Sequence, residues 1–337
     1  MKIVVDAPVY PPGLAALRQM IPTVEVGCLE PPGEVVRDLD PALISDADIL
    51  LTTFLPSNFE LMKKLRWVQL ISTGYSQLYK GELAKRGIRA SNSQGCFNVP
   101  IAEWNIAMMV NLARNFRQLI RNQEAGVWDR SAVFQREIRG LTVGLWGYGG
   151  IGRETARLSL EMGLKVHVYT RNPIKPRHNT YLVPGTGDPD GVLPVTVFTT
   201  GQEQDFLGGL DFLILTLPLT PATQGLIGEK ELRALRPTAY LLNPARGPII
   251  QEAALFRALR EGWIAGAALD TQHKNPCPPD DPIWQVPNAI VTPHISGSSL
   301  GPYFRERMWD LFLQNLTRFT SGQPLLNELS AAQLSGG

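Results

Sequence analysis

LTVGLWGYGGIGRETARLSLEMGLKVHVYTRN, from Leu141 to Asn172, reads as strand, glycine turn, helix and second strand. Gly147, Gly149 and Gly152 form G-x-G-x-x-G where the first strand meets the helix, with Tyr148, Gly150 and Ile151 between them. The first glycine permits a tight turn, the second lets a pyrophosphate approach the backbone, and the third allows the helix to pack closely on the strand. Such a turn presents backbone N–H groups at a helix N-terminus, an arrangement suited to an anion. Alone the motif is weak evidence. Here the required strand and helix flank it, which argues against a glycine-rich turn with no ligand.

An acid at the end of the second strand would hydrogen-bond the adenosine ribose of NAD. Thr170, 18 residues beyond Gly152, and Arg171 stand there instead. A hydroxyl and a planar cationic fork suit a phosphate, and no carboxylate is present to repel one. Lys175 and Arg177 lie just beyond. The pair favours NADP(H), with NAD(H) as the alternative.

The motif sits in mid-chain, so a sizeable unit precedes it. Strand-like runs KIVVD (Lys2 to Asp6), TVEVG (Thr23 to Gly27), DILLTT (Asp48 to Thr53), WVQLIST (Trp67 to Thr73) and IRASN (Ile88 to Asn92) alternate with helix-like runs such as LAALRQM and FELMKKL. That alternation predicts a parallel sheet covered by helices. A long apolar stripe beginning at Pro100 predicts a substantial helix bridging two domains. Beyond Thr170 a polar, Pro- and Gly-rich stretch reaches about Pro194 and reads as irregular loop. Strand-like runs then recur at Val195, Asp211, Ala239, Trp263 and Asn288, and the segment from about Tyr303 to Phe319 reads as a helix able to pack on the first domain.

Composition narrows the class. A chain of 337 residues, 44% hydrophobic and 19% charged, is long and apolar enough for two globular domains. A net charge of +1 without basic runs gives no case for nucleic acid. Cys28, Cys96 and Cys277 lack metal-ligand spacing, and their odd number argues against a disulfide framework. No apolar run approaches the roughly 20 residues of a membrane span, and MKIVVDAPVY does not read as a signal peptide. The expectation is a cytoplasmic protein without metal.

Seven segments, in order, carry a resemblance: LRWVQLISTGYSQL (Leu65 to Leu78), IAEWNIAMMVNLAR (Ile101 to Arg114), the glycine motif, LPLTPATQGLI (Leu217 to Ile227), LLNPARGPIIQEAALFRAL (Leu241 to Leu259), AGAALD (Ala265 to Asp270) and PNAIVTPHISG (Pro287 to Gly297). The chain resembles the D-isomer-specific 2-hydroxyacid dehydrogenases over nearly its whole length, with the glyoxylate/hydroxypyruvate reductase branch as the nearest functional type. The resemblance implies an α/β protein of two doubly wound parallel-sheet domains with a cleft between them. Residues 1–99 with 296–330 would form a flavodoxin-like substrate domain, and residues 100–295 a Rossmann cofactor domain. It also implies a homodimer, with the region from Trp104 to Trp128 as a contact that could equally be intramolecular core. The extra C-terminal regulatory domain of the longer phosphoglycerate dehydrogenases is not expected.

The implied reaction moves a hydride between nicotinamide and C2 of a small 2-oxo or 2-hydroxy acid, chiefly as a reductase. It needs a cation for the substrate and a proton donor for the developing alkoxide. Arg246 in NPARG matches the family's arginine, and His294 in TPHISG its general acid/base. Thr73, Gly74 and Tyr75 match the loop that binds the substrate carboxylate through backbone N–H groups. Leu217, Pro218, Thr223, Ala245, Asp270 and Gly297 join the glycine motif in the implied cofactor site.

One position departs from the pattern. The family pairs its histidine with a glutamate five residues after the strand-ending aspartate and just before a proline. In DTQHKNP, Asp270 and Pro276 fix the register, and Asn275 stands where the glutamate is expected. An amide can orient an imidazole but supplies no negative charge to stabilise imidazolium, so reduction is expected to favour acidic pH. Asp280, Asp281 and Glu103 are the other carboxylates considered for the missing charge. The substitution keeps two alternatives in view: an enzyme with a formate- or phosphite-like donor, and a cofactor-sensing corepressor or scaffold of the same fold.

Overall fold

The computed structural model describes residues 1–30, 35–131, 133, 135–299 and 301–335. The chain divides into two units. One comprises Met1–Phe97, Asn179–Val183 and the segment from Ser299 onward; the other comprises Asn98–His178 and Pro184–Ser298.

The first unit is built on five parallel strands: β1 (Lys2–Asp6), β2 (Glu25–Cys28), β3 (Ile49–Thr52), β4 (Trp67–Leu70) and β5 (Arg89–Ser91). Their order is β2-β1-β3-β4-β5. All residues of β1, β3 and β4 are buried, which is why these strands read as unbroken apolar runs. Side chains alternate between two faces. Ile3, Val5, Ile49, Leu51 and Trp67 point into one core, and Val4, Leu50, Val68 and Leu70 into the other.

The expected C-terminal helix spans Pro302–Thr320 and covers the first of these faces with Phe304, Met308, Trp309, Phe312 and Leu316. Trp67 and Phe312 stack at 5.3 Å between ring centroids. Residues 179–183 join the same unit from the stretch read as loop. Tyr181 is buried in that core and its hydroxyl donates to Asp310 Oδ2 at 2.9 Å. The stretch between 170 and 194 is irregular as expected, but its middle is anchored.

The second unit holds seven parallel strands: β6 (Thr142–Trp146), β7 (Lys165–Tyr169), β8 (Thr196–Phe198), β9 (Phe212–Leu215), β10 (Tyr240–Asn243), β11 (Gly266–Leu269) and β12 (Ala289–Val291). The order β12-β11-β10-β9-β6-β7-β8 reverses at β6, so the glycine turn leaves the sheet at its topological switch point. Both sheets are wholly parallel, as the alternation of apolar runs predicts, and the fold is α/β. The helix expected from Pro100 starts two residues earlier, spanning Asn98–Ala113. Proline fits its first turn because N–H groups there lack intrahelical acceptors. The helix belongs to the second unit and packs on the helix Gly150–Glu161, where Asn105 Nδ2 donates to Thr155 Oγ1 at 3.0 Å. Among the described residues no helix is long and apolar enough to cross a membrane. No group of three or more metal-ligating side chains is found among them either, and all three cysteines are free thiols.

Asn315 gives the first unit a test. It is fully buried; its Nδ2 donates to Gln69 Oε1 and to Leu326 O, both at 3.1 Å, and its Oδ1 accepts from Leu326 N at 2.7 Å. Asn315→Ala strands the Leu326 backbone groups, each costing about 1–3 kcal/mol when buried without a partner. A loss of about 2–4 kcal/mol is expected in urea denaturation; an unshifted midpoint would show that this network does not stabilise the unit.

Candidate active site

The glycine turn has an open place at its second glycine. Gly147 follows β6 with φ of +102°, a conformation L side chains rarely adopt, and a Cβ there would lie 2.9 Å from Thr216 O. Thr216 Oγ1 donates to Gly147 O at 2.8 Å. A Cβ on Gly152 would lie 2.8 Å from the same carbonyl, so only glycine lets the helix pack there. A Cβ on Gly149 meets nothing closer than Arg177 Nη1 at 3.7 Å. An uncrowded backbone at the start of a helix of 12 residues fits a dinucleotide pyrophosphate.

The residues around the turn serve it differently. A Cβ on Gly150 would fall 2.5 Å from Asn98 Nδ2, so a side chain there would require the Asn98 amide to move. Tyr148 turns its side chain inward, donating to Asp188 Oδ2 at 2.6 Å, and burial with this carboxylate pushes its pKa up. Only its backbone is left for a ligand. Ile151 is half-buried. Leu217 reaches the turn: its Cδ2 would lie 3.0 Å from a Cβ on Gly147. Thr223 Oγ1 donates to Pro218 O at 2.7 Å and accepts from Thr220 N at 2.8 Å, folding the loop after β9 upon itself.

At the end of β7, Thr170 donates its hydroxyl to Asn172 O at 3.0 Å. Arg171 is exposed, and among the described residues no carboxylate pairs with it. The loop beyond is ordered by Arg153 and Asp188. The buried Arg153 donates to Lys175 O at 2.6 Å, to Asp188 O, and to Tyr148 O at 3.4 Å. Asp188 accepts from the backbone of Gly191, Val192 and Leu193 at 3.0, 3.0 and 3.1 Å. Burial alone would raise its pKa; the Tyr148 hydroxyl and these N–H groups outweigh it and hold the carboxyl below its ordinary range.

The catalytic candidates lie after β10, β11 and β12. Asn243, fully buried at the end of β10, accepts from Ala245 N at 3.1 Å and donates to Arg246 O at 3.0 Å, bracketing the NPARG turn. Sequence reasoning passed over this asparagine, although it opens the turn that carries the arginine. Ala245 is half-buried. Arg246 is exposed, while the dense protein around its base desolvates the guanidinium and lowers its pKa. At so basic a group the exposed tip keeps its charge. Among the described residues no carboxylate pairs with Arg246. Gly247 allows the turn to touch the loop after β11, for its Cβ would lie 2.7 Å from His273 N and closer still to the Gln272 carbonyl.

Asp270 holds the histidine loop. Its buried carboxylate accepts from Thr292 Oγ1 at 2.6 Å, Ile295 N at 2.9 Å and Ser296 N at 3.0 Å, and its carbonyl accepts from His294 N at 2.8 Å. These bonds maintain a left-handed backbone at His294, φ +56°. They engage the Asp270 carboxylate within the loop, a role that its position at a strand end does not announce. Asn275 Nδ2 lies 3.3 Å from His294 Nδ1, so the pairing expected of the glutamate position is made by an amide. Gly297 follows, half-buried.

Among the described residues, none of the other groups weighed for this site has a hydrogen bond to His294. Asp281 accepts from Ile283 N at 3.1 Å and from Lys274 Nζ at 3.4 Å. Asp280 and Glu103 are exposed, the latter on the helix Asn98–Ala113. His167 lies in β7, where burial and then Lys165 lower its pKa. His178 Nε2 is 3.6 Å from Asp190, and His273 is exposed.

In the first unit, Thr73, Gly74 and Tyr75 follow β4. Asn92 Nδ2 donates to Thr73 O and Ser72 Oγ to Gly74 O, both at 2.7 Å. Gln77 Nε2 holds Ser72 Oγ at 2.8 Å. The carbonyls are tied, while the three N–H groups have no acceptor among the described residues. Among the described residues, apart from its chain neighbours, nothing lies within 4 Å of a Cβ on Gly74. Free donors around an open glycine suit a carboxylate.

Residues 106–296 match the family model for the NAD binding domain of D-isomer specific 2-hydroxyacid dehydrogenases. A glyoxylate reductase of Korarchaeum cryptofilum is 32% identical over 298 residues, covering 86% of this chain and 82% of its own length. A glyoxylate reductase of Thermofilum pendens is 30% identical over 333 residues, covering 96% and 92%. Among solved structures, an NADPH-dependent glyoxylate/hydroxypyruvate reductase of Sinorhizobium meliloti in complex with citrate has a TM-score of 0.73 at 27% identity, with 98% of both chains covered.

The contact at Gly247 is testable without a ligand. Gly247→Ala drives a methyl group into backbone atoms that cannot rotate away. A loss of about 2–4 kcal/mol in denaturant unfolding is expected. Unchanged stability would show that the NPARG turn and the loop after β11 are not closely packed.

Proposed function

Because the chain belongs to the D-isomer-specific 2-hydroxyacid dehydrogenases, we propose that it acts as an NADP(H)-preferring reductase of small 2-oxo acids of the glyoxylate and hydroxypyruvate type. It is an NAD(P)-dependent oxidoreductase of this substrate class, in which the bound nicotinamide supplies or takes up the hydride at substrate C2. The observation that carries the reading is an uncompensated Arg246 beyond β10 together with His294 held beside Asn275 beyond β12.

Arg246 attracts the substrate carboxylate and polarises its oxo group, stabilising the charge that develops on the alkoxide oxygen. His294 donates the proton that this oxygen takes up. Asn275 orients the ring and can serve either tautomer, donating through its NH₂ or accepting through its carbonyl. Asp270 acts through the backbone by fixing the histidine loop. Thr73, Gly74 and Tyr75 offer N–H groups to the carboxylate. Gly147 to Gly152 take the pyrophosphate, Leu217, Pro218, Thr223, Ala245 and Gly297 line the cofactor, and Thr170 with Arg171 reads the adenosine 2′-phosphate. An Arg171 without an ion pair among the described residues and the lack of an acid ending β7 support NADP(H). The glyoxylate reductases among the relatives support the substrate type. Exposed Phe116, Ile120, Val127 and Trp128 support a homodimer, to be read by light scattering. Three free thiols agree with a reducing cytoplasm.

Oxidation of NADPH and NADH should be followed with glyoxylate and hydroxypyruvate from about pH 5 to about pH 9, across the range in which a histidine titrates. NADPH is expected to be preferred, and no turnover with either acid would remove the substrate assignment. Arg171→Ala is expected to narrow the preference about tenfold in kcat/KM, the loss of one charge-assisted phosphate contact. His294→Gln should lower kcat by about 10²–10⁴. A carboxylate beside the ring favours its protonated form. In Asn275→Glu the alkaline fall of the reduction rate should therefore move up by about 1–3 pH units; an unmoved profile would contradict the role given to this amide.

A further inference from the structure

Parallel neighbours in a sheet need a crossover, usually a helix. Between β7 and β8 the crossover contains no helix, and its loop carries a cation toward the glycine turn. Arg177 N donates to Pro189 O at 2.8 Å, clasping the two limbs of the loop. Its Nη1 lies 3.7 Å from the place of a Cβ on Gly149, the glycine with open space around it. The side chain is half-buried, and among the described residues no carboxylate, carbonyl or hydroxyl accepts a hydrogen bond from its guanidinium. Burial, and then repulsion by Arg153, lower its pKa. Arg153 has its own acceptors in the carbonyls of Lys175, Asp188 and Tyr148. Arg177 is thus a desolvated cation beside another cation, without an anion, a costly arrangement unless an anion arrives. The turn itself brings no other cation: its residues other than glycine are Tyr148, which faces Asp188, and Ile151.

We propose that Arg177 is the counter-cation of the cofactor's pyrophosphate, held at the second glycine by the loop between β7 and β8. The inference rests on the dinucleotide-binding reading of the glycine turn. Two arginines then recognise different groups of the cofactor. Arg171 meets the 2′-phosphate that only NADP(H) carries, whereas Arg177 meets the diphosphate common to both cofactors.

The test is binding to the full chain by calorimetry, using NADPH, NADH and ADP-ribose, the last having the diphosphate without nicotinamide. Arg177→Gln is expected to raise Kd for all three by a similar factor, about 10–100, as for the loss of a charge-assisted contact. Arg177→Lys should recover part of the affinity, and melting of the ligand-free variants should stay at or above that of the parent. Unchanged dissociation constants would overturn the proposal. So would a loss confined to NADPH, which places Arg177 at the 2′-phosphate, or a loss accompanied by lowered ligand-free melting and no recovery with lysine. Failure of the unaltered chain to bind any of the three would overturn the cofactor reading itself along with it.

Discussion

Parallel strands covered on both faces leave only their ends for chemistry. In β1, β3, β4, β9, β10 and β11 every residue is buried except Tyr240, so no polar working group can project from the sheet middle without desolvation. The candidate groups accordingly follow C-terminal strand ends: Thr73 after β4, Gly147 after β6, Thr170 after β7, Leu217 after β9, Arg246 after β10, Asp270 after β11 and His294 after β12. Each sheet acts as a rigid edge to which such loops are fastened, and the reaction depends on how firmly each is held.

The fastening is done by small polar side chains, buried or half-buried, rather than by the exposed candidate residues. Asn243 brackets the Arg246 turn, Asp270 gathers four N–H and O–H donors from the histidine loop, Thr216 caps the glycine turn, and Asn92 ties Thr73. A buried carboxylate fully surrounded by donors is costly to disturb, and that cost gives His294 a fixed backbone despite its exposed ring. Positioning and exposure are thereby separated: the buried groups set geometry, and Arg246, Asn275 and His294 are exposed.

Much of this was legible in the sequence because the signals are local. A buried parallel strand is a short apolar run, a glycine turn is three glycines at fixed spacing, and the loops after β10 and β12 carry their candidate residues in NPARG and TPH. What stayed hidden depends on distant partners. That a side chain at Gly150 would press on an amide follows from Asn98, 52 positions upstream. That Tyr148 turns inward follows from Asp188, 40 positions downstream. The helix begins before Pro100 because Asn98 and Val99 already have helical backbone, which a proline at the third position does not prevent. The composition of 170–194 signals a loop, but not that Tyr181 lodges in a core or that Arg177 is turned to Gly149. Asn275 was legible as a departure from the resemblance, and where its amide comes to rest, 3.3 Å from His294 Nδ1, was not.

The first unit is discontinuous in the chain, and this matters as the chain leaves the ribosome. The strands β1 to β5 emerge first, yet Tyr181 and the helix Pro302–Thr320 that cover Ile3, Ile49 and Trp67 come much later. At about 5–20 residues per second, that cover follows β4 by roughly ten to fifty seconds. The second unit, finished at Ser298, is complete before it. Translation thus reverses the order of the sequence: the segment made first is sealed last, and through that interval its apolar face is the surface that a chaperone would have to shield.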